Sequence, residues 1–458
     1  MTSSDAIEET ALGAAPADIE LTVPELVAFA MRLHRDKRLD AAEKCYRGVL
    51  QADAGNATAQ HYLGVLLHQR GRGGEAFDLI QKSIAIDSGV APWYNNLGNV
   101  LLDEGRFDDA AMAYKRCTEL DESNLEVLNN LGVLLRKLKR TEEAEDSFSR
   151  AILRDPAFRA AHANLASLCT LQGRMPEAFS HFANALALEP ADPNTRRLLM
   201  HALGRAGRFY EGQKICREWL ASEPDDPMAR HFLAAYGGAE IPERASDGYV
   251  IDEFDGFANS FDAKLASLEY RAPQWVGDAV ASLYGKAAKD LRILDAGCGT
   301  GLCAPFLFPF AKELVGVDLS ANMLSRAFDR HLYDGLAQSE LVAYALACGT
   351  TFDAVVSADT LCYFGKLTAA FSAIEAVLRP GGCWVFTVEA HTLDHSYRLQ
   401  AHGRYSHSKA YIEDELTLAG FGSIVLKQVD LRYESGEPVS GWLVTARKPD
   451  KLVDPGLG

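Results

Sequence analysis

Three glycines at alternate positions, in the stretch "LDAGCGTG", are the strongest chemical signal in the sequence. Gly297, Gly299 and Gly301 follow one apolar run and precede another, so the backbone there must fold tightly against a ligand. A dinucleotide-binding loop has the spacing G-x-G-x-x-G, and Leu302 stands where its third glycine belongs. Asp295, two residues before the loop, opposes a pyrophosphate and favours a cationic ligand. No Walker lysine follows the glycines, which disfavours nucleoside triphosphates.

A second acid marks the other end of the same ligand. Asp318 closes the next predicted strand, "ELVGVD", where its carboxylate can accept hydrogen bonds from the hydroxyls of a ribose. An acid for an ammonium group, glycines against a thioether chain and an acid for a ribose together describe S-adenosylmethionine. The loop is therefore predicted to hold this sulfonium compound.

Short apolar runs alternate with helical stretches around this loop, which predicts a parallel sheet with helices on both faces. A final pair of strands, joined around "ESGEP", is expected to form an antiparallel hairpin. The predicted strands before that hairpin cover residues 292–296, 313–318, 352–358 and 381–389, with a helix over 366–378.

This region resembles the class I S-adenosylmethionine-dependent methyltransferases across roughly residues 250 to 448. The segments "LDAGCGTG", "GVDLSANML", "FDAVVSADTLCYF" and "LRPGG" occur in the order typical of that family. The resemblance implies a Rossmann-like α/β domain with a seven-stranded sheet that transfers a methyl group from S-adenosylmethionine.

The resemblance also implies a role for each ligand-binding residue. Asp295 and the three glycines would contact the methionine part of the cofactor, and Asp318 its ribose. Leu319 and Met323 would border the adenine, and Glu340, in "AQSEL", stands where the family places an acid near the adenine amine.

The end of the predicted fourth strand bears on the methyl acceptor. Enzymes that methylate exocyclic amines of DNA bases or amide nitrogens carry an Asn-Pro-Pro-Tyr type sequence there, whereas this chain has "SADTLCYFG". Asp359 and Tyr363 are expected near the transferred methyl group. Asp359 would orient or deprotonate the acceptor; alternatively it contacts the cofactor or caps the following helix.

A polar and aromatic stretch follows the predicted fifth strand, "EAHTLDHSYRLQAHGRYSHSKAY". At the ligand edge of the sheet it predicts a substrate pocket that includes Tyr397, Arg404 and Tyr405. "GRYSHS" also resembles a stretch of the methyltransferases that carry tetratricopeptide repeats. His407 is the candidate general base, because an imidazole titrates near neutral pH; the alternative is a hydrogen-bonded loop histidine.

The first half of the chain repeats itself every 34 residues. Leu63, Leu97, Leu131, Leu165 and Leu199 mark the period, a column of small residues begins at Ala42, and a bulky column begins at Tyr46. Small residues let the two helices of a pair approach closely, and bulky residues fill the gap between pairs. The pattern resembles the tetratricopeptide repeat and predicts an α-solenoid of six repeats plus a capping helix over residues 23–236.

An asparagine recurs at one repeat position, as Asn96, Asn130 and Asn164. A side-chain amide carries both donors and an acceptor, so such a column can hold an extended peptide backbone of any sequence. The other interpretation is that these residues belong to a common version of the repeat and face solvent.

Bulk properties narrow the class of protein. The chain has 458 residues, a net charge of -17 and nine cysteines without a CxxC pair. The negative net charge opposes binding to nucleic acid. Because the cysteines form no CxxC pair, the thiols are expected to be reduced and no metal site is predicted. An acidic start without a signal peptide, and apolar runs too short for a membrane helix, predict a cytoplasmic protein that does not bind membranes.

The expected organisation is a disordered N-terminus (1–22), the repeats (23–236), a linker (237–249), the methyltransferase domain (250–448) and a tail (449–458). The segment after the linker spaces Phe254, Phe257 and Phe261 as a helix that either packs on the next domain or forms a lid over the cofactor. Three functions follow: a methyltransferase whose repeats recruit a protein or peptide, a small-molecule O- or N-methyltransferase whose repeats serve assembly, and a cofactor-binding scaffold without turnover.

Overall fold

The computed structural model describes residues 21–450 except 257, 259–260, 394–395 and 435–436. The predicted N-terminus before residue 21, the tail after residue 450 and the predicted lid residue Phe257 lie outside the described residues. The chain divides into two compact units, Met1–Pro190 and Ala191–Gly458, which are described separately below.

The first unit consists of helices that pair in sequence, two to each predicted repeat. The helices are α1 (Val23–Arg35), α2 (Leu39–Ala52), α3 (Ala57–Gln69), α4 (Gly73–Ile86), α5 (Ala91–Asp103), α6 (Phe107–Leu120), α7 (Leu125–Lys137), α8 (Thr141–Arg154), α9 (Arg159–Leu171) and α10 (Met175–Leu188).

Each helix pair is closed by contact between a small residue of its first helix and a bulky residue of its second. A Cβ atom added to Gly98 would lie 2.5 Å from the ring of Tyr114, and one added to Gly132 would lie 2.5 Å from the ring of Phe148. Tyr114 and Phe148 are 1% and 0% exposed, so neither ring has room to move aside. Tyr114 and Phe148 of the bulky column thus pack against the first helix of their own pair, whereas the sequence pattern predicted that this column fills the gap between pairs.

The second unit begins with a further helix pair and continues into helices that lead to the sheet. The capping helix contacts later parts of this unit: His231 Nε2 lies 2.7 Å from the carbonyl oxygen of Gly403, and the His231 ring stacks on Tyr249 at 3.9 Å. These helices are α11 (Pro193–Arg205), α12 (Phe209–Ser222), α13 (Pro227–Ala235), α14 (Asp247–Asp255), α15 (Phe261–Ser267) and α16 (Ala272–Tyr284).

A mixed sheet with helices forms the rest of the second unit. Its elements are β1 (Leu291–Ala296), α17 (Ala304–Leu307), β2 (Ala311–Asp318), α18 (Ala321–Asp329), β3 (Gly335–Gln338), α19 (Leu341–Ala347), β4 (Phe352–Ser357), a 3-10 turn (Leu361–Tyr363), α20 (Thr368–Val377), β5 (Leu378–Ala390), β6 (Tyr397–Leu399), β7 (Tyr405–His407), α21 (Lys409–Leu418), β8 (Gly422–Glu434) and β9 (Glu437–Arg447).

The strand order confirms the predicted fold class, helical repeats followed by a Rossmann-like α/β domain. Strands β3, β2, β1, β4 and β5 are neighbours in that order and run parallel. Strand β9 pairs antiparallel with both β5 and β8, as the predicted final hairpin requires. The carboxyl ends of β1, β2 and β4 consequently meet at one edge of the sheet.

Strands β6 and β7 add a small antiparallel arm to the expected seven strands. Tyr397 pairs with His407 and Leu399 with Tyr405, while Glu389 and Ala390 of β5 pair with β7. The sequence predicted a substrate pocket in this stretch but did not indicate these two strands. The described residues contain no helix long and apolar enough to cross a membrane.

Replacing Gly132 with alanine tests the packing of the helix pairs. The new methyl group would overlap the buried Phe148 ring, and we expect the free energy of unfolding to fall by about 1–3 kcal/mol in urea denaturation. Gly74→Ala is the matched control, since a Cβ there meets nothing within 4 Å. Equal stability of the two variants would contradict this account.

Candidate active site

A single pocket gathers most of the predicted site residues at the carboxyl ends of the strands. Helices α14 and α15 form its opposite wall through Glu253, Phe254 and Lys264. The predicted residues that line it are Gly297, Gly299, Asp318, Leu319, Met323, Glu340, Asp359, Tyr363 and Arg404. The predicted residues outside its lining are Asp295, Gly301, Tyr397, Tyr405 and His407.

The glycine loop turns directly after β1 in a conformation that favours glycine. Gly297 has φ +84°, and a Cβ there would lie 2.1 Å from the hydroxyl oxygen of Thr360. Gly299 has φ +53°, and a Cβ there would meet nothing within 4 Å, so its backbone is open to a ligand.

Asp318 joins this loop to the end of β2. Its carboxylate accepts hydrogen bonds from the backbone N–H groups of Gly299 and Ser320, both at 2.9 Å. Burial raises its pKa despite these bonds. The loop and the carboxylate are thus positioned as one unit.

Asp295 lies behind the loop, where it is 1% exposed. The Tyr333 hydroxyl donates to its Oδ2 at 2.7 Å, whereas its Oδ1 has no hydrogen-bond partner among the described residues. Burial raises the pKa of this carboxyl to about 7.

Glu340 stands at the other side of the pocket and caps a helix. Its Oε2 accepts a hydrogen bond from the backbone N–H of Ala343 at 2.8 Å, at the start of α19. Its Oε1 has no partner within the described part of the chain.

Two acids fasten the segment that contains α14 and α15 over the loop. Asp255 accepts a hydrogen bond of 2.5 Å from the Ser320 hydroxyl, and Asp262 accepts one of 2.5 Å from the Thr300 hydroxyl and pairs with Arg330. These contacts show that the segment packs on the domain that carries the glycine loop, as one of the two interpretations expected, and a lid role for it stays a prediction.

Asp359 follows β4 in a backbone conformation rare for a residue with a side chain, with φ 53°. Its N–H donates to the Thr387 hydroxyl at 2.9 Å, and that hydroxyl donates to its Oδ1 at 2.9 Å. Its Oδ2 lies 3.1 Å from Nη1 of Arg432. Both carboxylate oxygens are therefore engaged.

A buried ion cluster surrounds Arg432, which is 3% exposed. Besides Asp359, this guanidinium pairs with Glu389 and with Glu434, the latter at 2.7 Å. Arg404 joins the cluster through Nη1, at 3.0 Å from Glu434 and 3.4 Å from Glu389.

The histidine predicted as general base is sealed off from the pocket. His407 is fully buried, its Nε2 lies 3.1 Å from the carbonyl oxygen of Gly365, and burial lowers its pKa to about 4. Tyr405 donates its hydroxyl to the carbonyl oxygen of Pro242 at 2.9 Å, and Tyr397 packs against it with ring centroids 6.1 Å apart. In "GRYSHS", only Arg404 lines the pocket, because the following residues pack into the arm.

Four charged groups that were not predicted from the sequence also line the pocket. These are Arg244, Glu253, Lys264 and Arg432. The helical spacing of the segment after the linker was a usable signal for Glu253 and Lys264. Arg432 carried no local signal, since its partner Asp359 is 73 residues away in the chain.

Comparisons with known proteins agree with this architecture. A "Methyltransferase domain" family model matches residues 294–386, and "Tetratricopeptide repeat" models match residues 55–123, 101–169 and 170–236. The chain is 31% identical over 178 residues to Methyltransferase-like protein 27 of Homo sapiens, a match that covers 36% of this chain and 72% of that protein. The chain thus belongs to the methyltransferase family and carries tetratricopeptide repeats.

A further curated relative and a solved structure each match one part of this chain. The malonyl-[acyl-carrier protein] O-methyltransferase of Enterobacter lignolyticus (strain SCF1) is 35% identical over 23% of this chain and 41% of its own. A solved structure titled as YrrB, a TPR protein with an unusual peptide-binding site, is 22% identical over 42% of this chain and 94% of its own, with a TM-score of 0.35.

The raised pKa of Asp295 predicts how the free energy of unfolding changes with pH. The folded protein retains this proton up to a pH of about 7, whereas the unfolded chain releases it near 3.8, so the native state binds more protons between these values. The free energy of unfolding should therefore fall as pH rises from 4 to 7, by up to about 1.4 kcal/mol per pH unit.

Urea unfolding of the wild type and Asp295→Asn across this pH range would measure the effect. The asparagine variant has no proton to lose at this position, so the wild type should lose stability relative to it as pH rises. If the difference in free energy of unfolding between the two proteins is constant with pH, or shifts in favour of the wild type as pH rises, the raised pKa of Asp295 is ruled out.

Proposed function

We propose that this protein transfers a methyl group from S-adenosylmethionine to an acceptor in the pocket, and that its repeats bring a protein or peptide as acceptor or partner. The observation that carries the proposal is the hydrogen bond between the open Gly299 backbone and Asp318, at the carboxyl ends of neighbouring parallel strands.

The residues of the pocket fit this cofactor. The loop of Gly297, Gly299 and Gly301 would hold the methionine part, with Asp295 supporting it from behind through its unpaired Oδ1. Asp318 would accept the ribose hydroxyls. Leu319, Met323 and the unpaired Oε1 of Glu340 would meet the adenine and its amine.

When bound, S-adenosylmethionine supplies a methyl group already activated by the sulfonium. What this chain adds is proximity, alignment and exclusion of water. The segment of α14 and α15, fastened by Asp255 and Asp262, covers the site. Asp359 is held rigidly by Thr387 and Arg432, so it and the neighbouring Tyr363 are suited to orienting the acceptor.

The asparagines of the repeats support binding of an extended peptide. Asn164 Nδ2 donates to Asn129 Oδ1 at 2.8 Å, Asn96 Nδ2 lies 3.0 Å from His61 Nε2, and Asn130 is exposed. Hydrogen bonds between neighbouring repeats fix the amides of Asn96 and Asn164 in advance, and each amide keeps a further donor and an acceptor for a peptide backbone.

The cover over the pocket favours a second candidate, a small-molecule O- or N-methyltransferase whose repeats serve assembly. A segment fastened over the site limits the size of an acceptor group that enters. A scaffold that binds the cofactor without turnover is the third candidate, and the experiments below separate all three.

Asp318→Ala should weaken binding of S-adenosylmethionine at least tenfold in titration calorimetry, because both the ribose acceptor and the anchor of Gly299 are lost. Asp329→Ala, an exposed acid in the same unit, is the control and should bind as the wild type does. Unchanged affinity of the Asp318 variant would remove the cofactor assignment.

Incubation of the protein with methyl-labelled S-adenosylmethionine in an extract of its source cells tests turnover. We expect label in discrete protein bands, absent with the Asp318 variant. Label only in small metabolites would favour the second candidate, and no label despite measured cofactor binding would favour the scaffold.

The joint substitution of Asn96, Asn130 and Asn164 by alanine tests the role of the repeats. We expect labelling of protein bands to fall several-fold while cofactor affinity stays the same, because only recruitment is lost. Gln51→Ala, an exposed change in the same unit, is the control. Full labelling by the triple variant would refute peptide binding through these amides.

A further inference from the structure

We propose that the acceptor group is a carboxylate held by Arg404, so that the product is a methyl ester. The inference rests on the proposed function and adds the chemical class of the acceptor. Three features of the pocket support it: the hydrogen-bonding edge of Arg404, the lack of an available base in Asp359 and His407, and the apolar side chains of the pocket wall.

The guanidinium of Arg404 lines the pocket and keeps one edge that no acid occupies among the described residues. It lines the pocket with a side chain 30% exposed, and its hydrogen bonds to Glu389 and Glu434 both use Nη1. Its Nε and Nη2 make no hydrogen bond to an acid that the structure describes, and the Tyr363 side chain, also on the pocket wall, is a further hydrogen-bonding neighbour of this guanidinium. The Nε–Nη2 edge of a guanidinium matches the two oxygens of a carboxylate.

The orientation of this edge is fixed before an acceptor arrives. Glu389 and Glu434 each pair with both Arg404 and Arg432, and Glu389 is itself only 4% exposed. A guanidinium held in this way loses little conformational freedom on binding an anion. Lys264 places a second cation on the wall of the same pocket.

The state of the nearby bases suits an acceptor that needs no deprotonation. Both oxygens of Asp359 are engaged by Thr387 and Arg432, and His407 lies outside the pocket lining. A carboxylic acid is already ionised at neutral pH. One of its oxygens forms the new C–O bond while the methyl–sulfur bond breaks, the sulfur keeps the electron pair of that bond, and no proton moves.

An amine acceptor would need a base to take its proton, and Glu253 is the carboxyl in the pocket lining that would have to serve as that base. It lines the pocket, its Oε2 has no hydrogen-bond partner in the described part of the chain, and its Oε1 lies 3.7 Å from Arg197. Burial raises its pKa, which favours the protonated form, and a protonated carboxyl donates a hydrogen bond to a carboxylate. If Glu253 instead served as a base, the product would be a methylated amine.

Apolar side chains make up the remaining wall, so the acceptor should carry an apolar body next to its carboxylate. Phe254 lies with its ring 5.8 Å from Phe261 and 5.5 Å from Tyr363, and Leu265 and Leu268 continue this wall. Such a carboxylate belongs either to a peptide, as a side chain or C-terminus, or to a small hydrophobic acid.

Treatment of the labelled products with mild alkali tests the assignment. We expect most of the label to leave as volatile methanol, because methyl esters hydrolyse in alkali and N-methyl groups do not. Release from protein bands would place the carboxylate on a polypeptide, and release from the metabolite fraction on a small acid. If the label is stable in alkali and Glu253→Gln abolishes it, the carboxylate assignment is overturned but the proposed function stands. If no label appears at all, both the carboxylate assignment and the proposed function are overturned.

Binding of 4-phenylbutyrate and of its amide, measured by calorimetry in the presence of S-adenosylhomocysteine, gives a readout independent of turnover. The acid should bind at least tenfold more tightly than the amide. Arg404→Gln should abolish this preference, and Arg404→Lys should restore part of it, because an ammonium supplies charge without the planar edge.

Arg398→Gln, an exposed change on the same arm, should leave the preference intact. Equal binding of S-adenosylhomocysteine by all variants would show that the cofactor end of the pocket is preserved. Equal affinity of the wild type for acid and amide, or an unchanged preference in Arg404→Gln, would overturn the proposal.

Discussion

The buried guanidinium of Arg432 is the interaction on which the site depends. It brings together carboxylates from three places in the sheet: Asp359 after β4, Glu389 at the end of β5 and Glu434 at the end of β8. A charge this deeply buried is tolerable only when it is paired, and three acids so close together are tolerable only around a cation. The cluster therefore fixes the ends of three strands relative to one another.

Around this cluster the two ends of the pocket have different character. The end proposed to hold the cofactor is built from backbone: an open glycine loop and N–H groups held by one carboxylate, Asp318. The other end is built from long charged side chains and aromatic rings contributed by α14, α15 and the arm of β6 and β7. Backbone placed by parallel strands varies little with side-chain replacement, whereas the second end can change with a few substitutions.

What could be predicted from the sequence follows the same division. The glycine loop, Asp318 and the strands that carry them are local signals, since neighbouring residues create both the turn and the buried run. The repeats were also predictable, because each pair requires a small residue such as Gly132 opposite a ring such as Phe148. These features account for the fold class and the cofactor end of the pocket.

The acceptor end could not be predicted in the same way, because its contacts join distant residues. The role of Arg432 depends on Asp359, and no pattern near either residue indicates the pair. His407 has the residue type expected of a base, but strand pairing in the arm buries it beside Gly365. The residue type of His407 indicated a general base at this end of the pocket, but only the tertiary structure determines whether a side chain reaches the pocket.

The boundary between the two compact units has a consequence for how such proteins diversify. The last helix pair and the capping helix belong with the sheet, through contacts such as those of His231 with Gly403 and Tyr249. Repeats before Pro190 lie outside the unit that these contacts hold together, whereas the final pair is part of it. Relatives with different numbers of repeats should therefore differ in the first unit and share the last pair, so that the repeat surface changes while the pocket is retained.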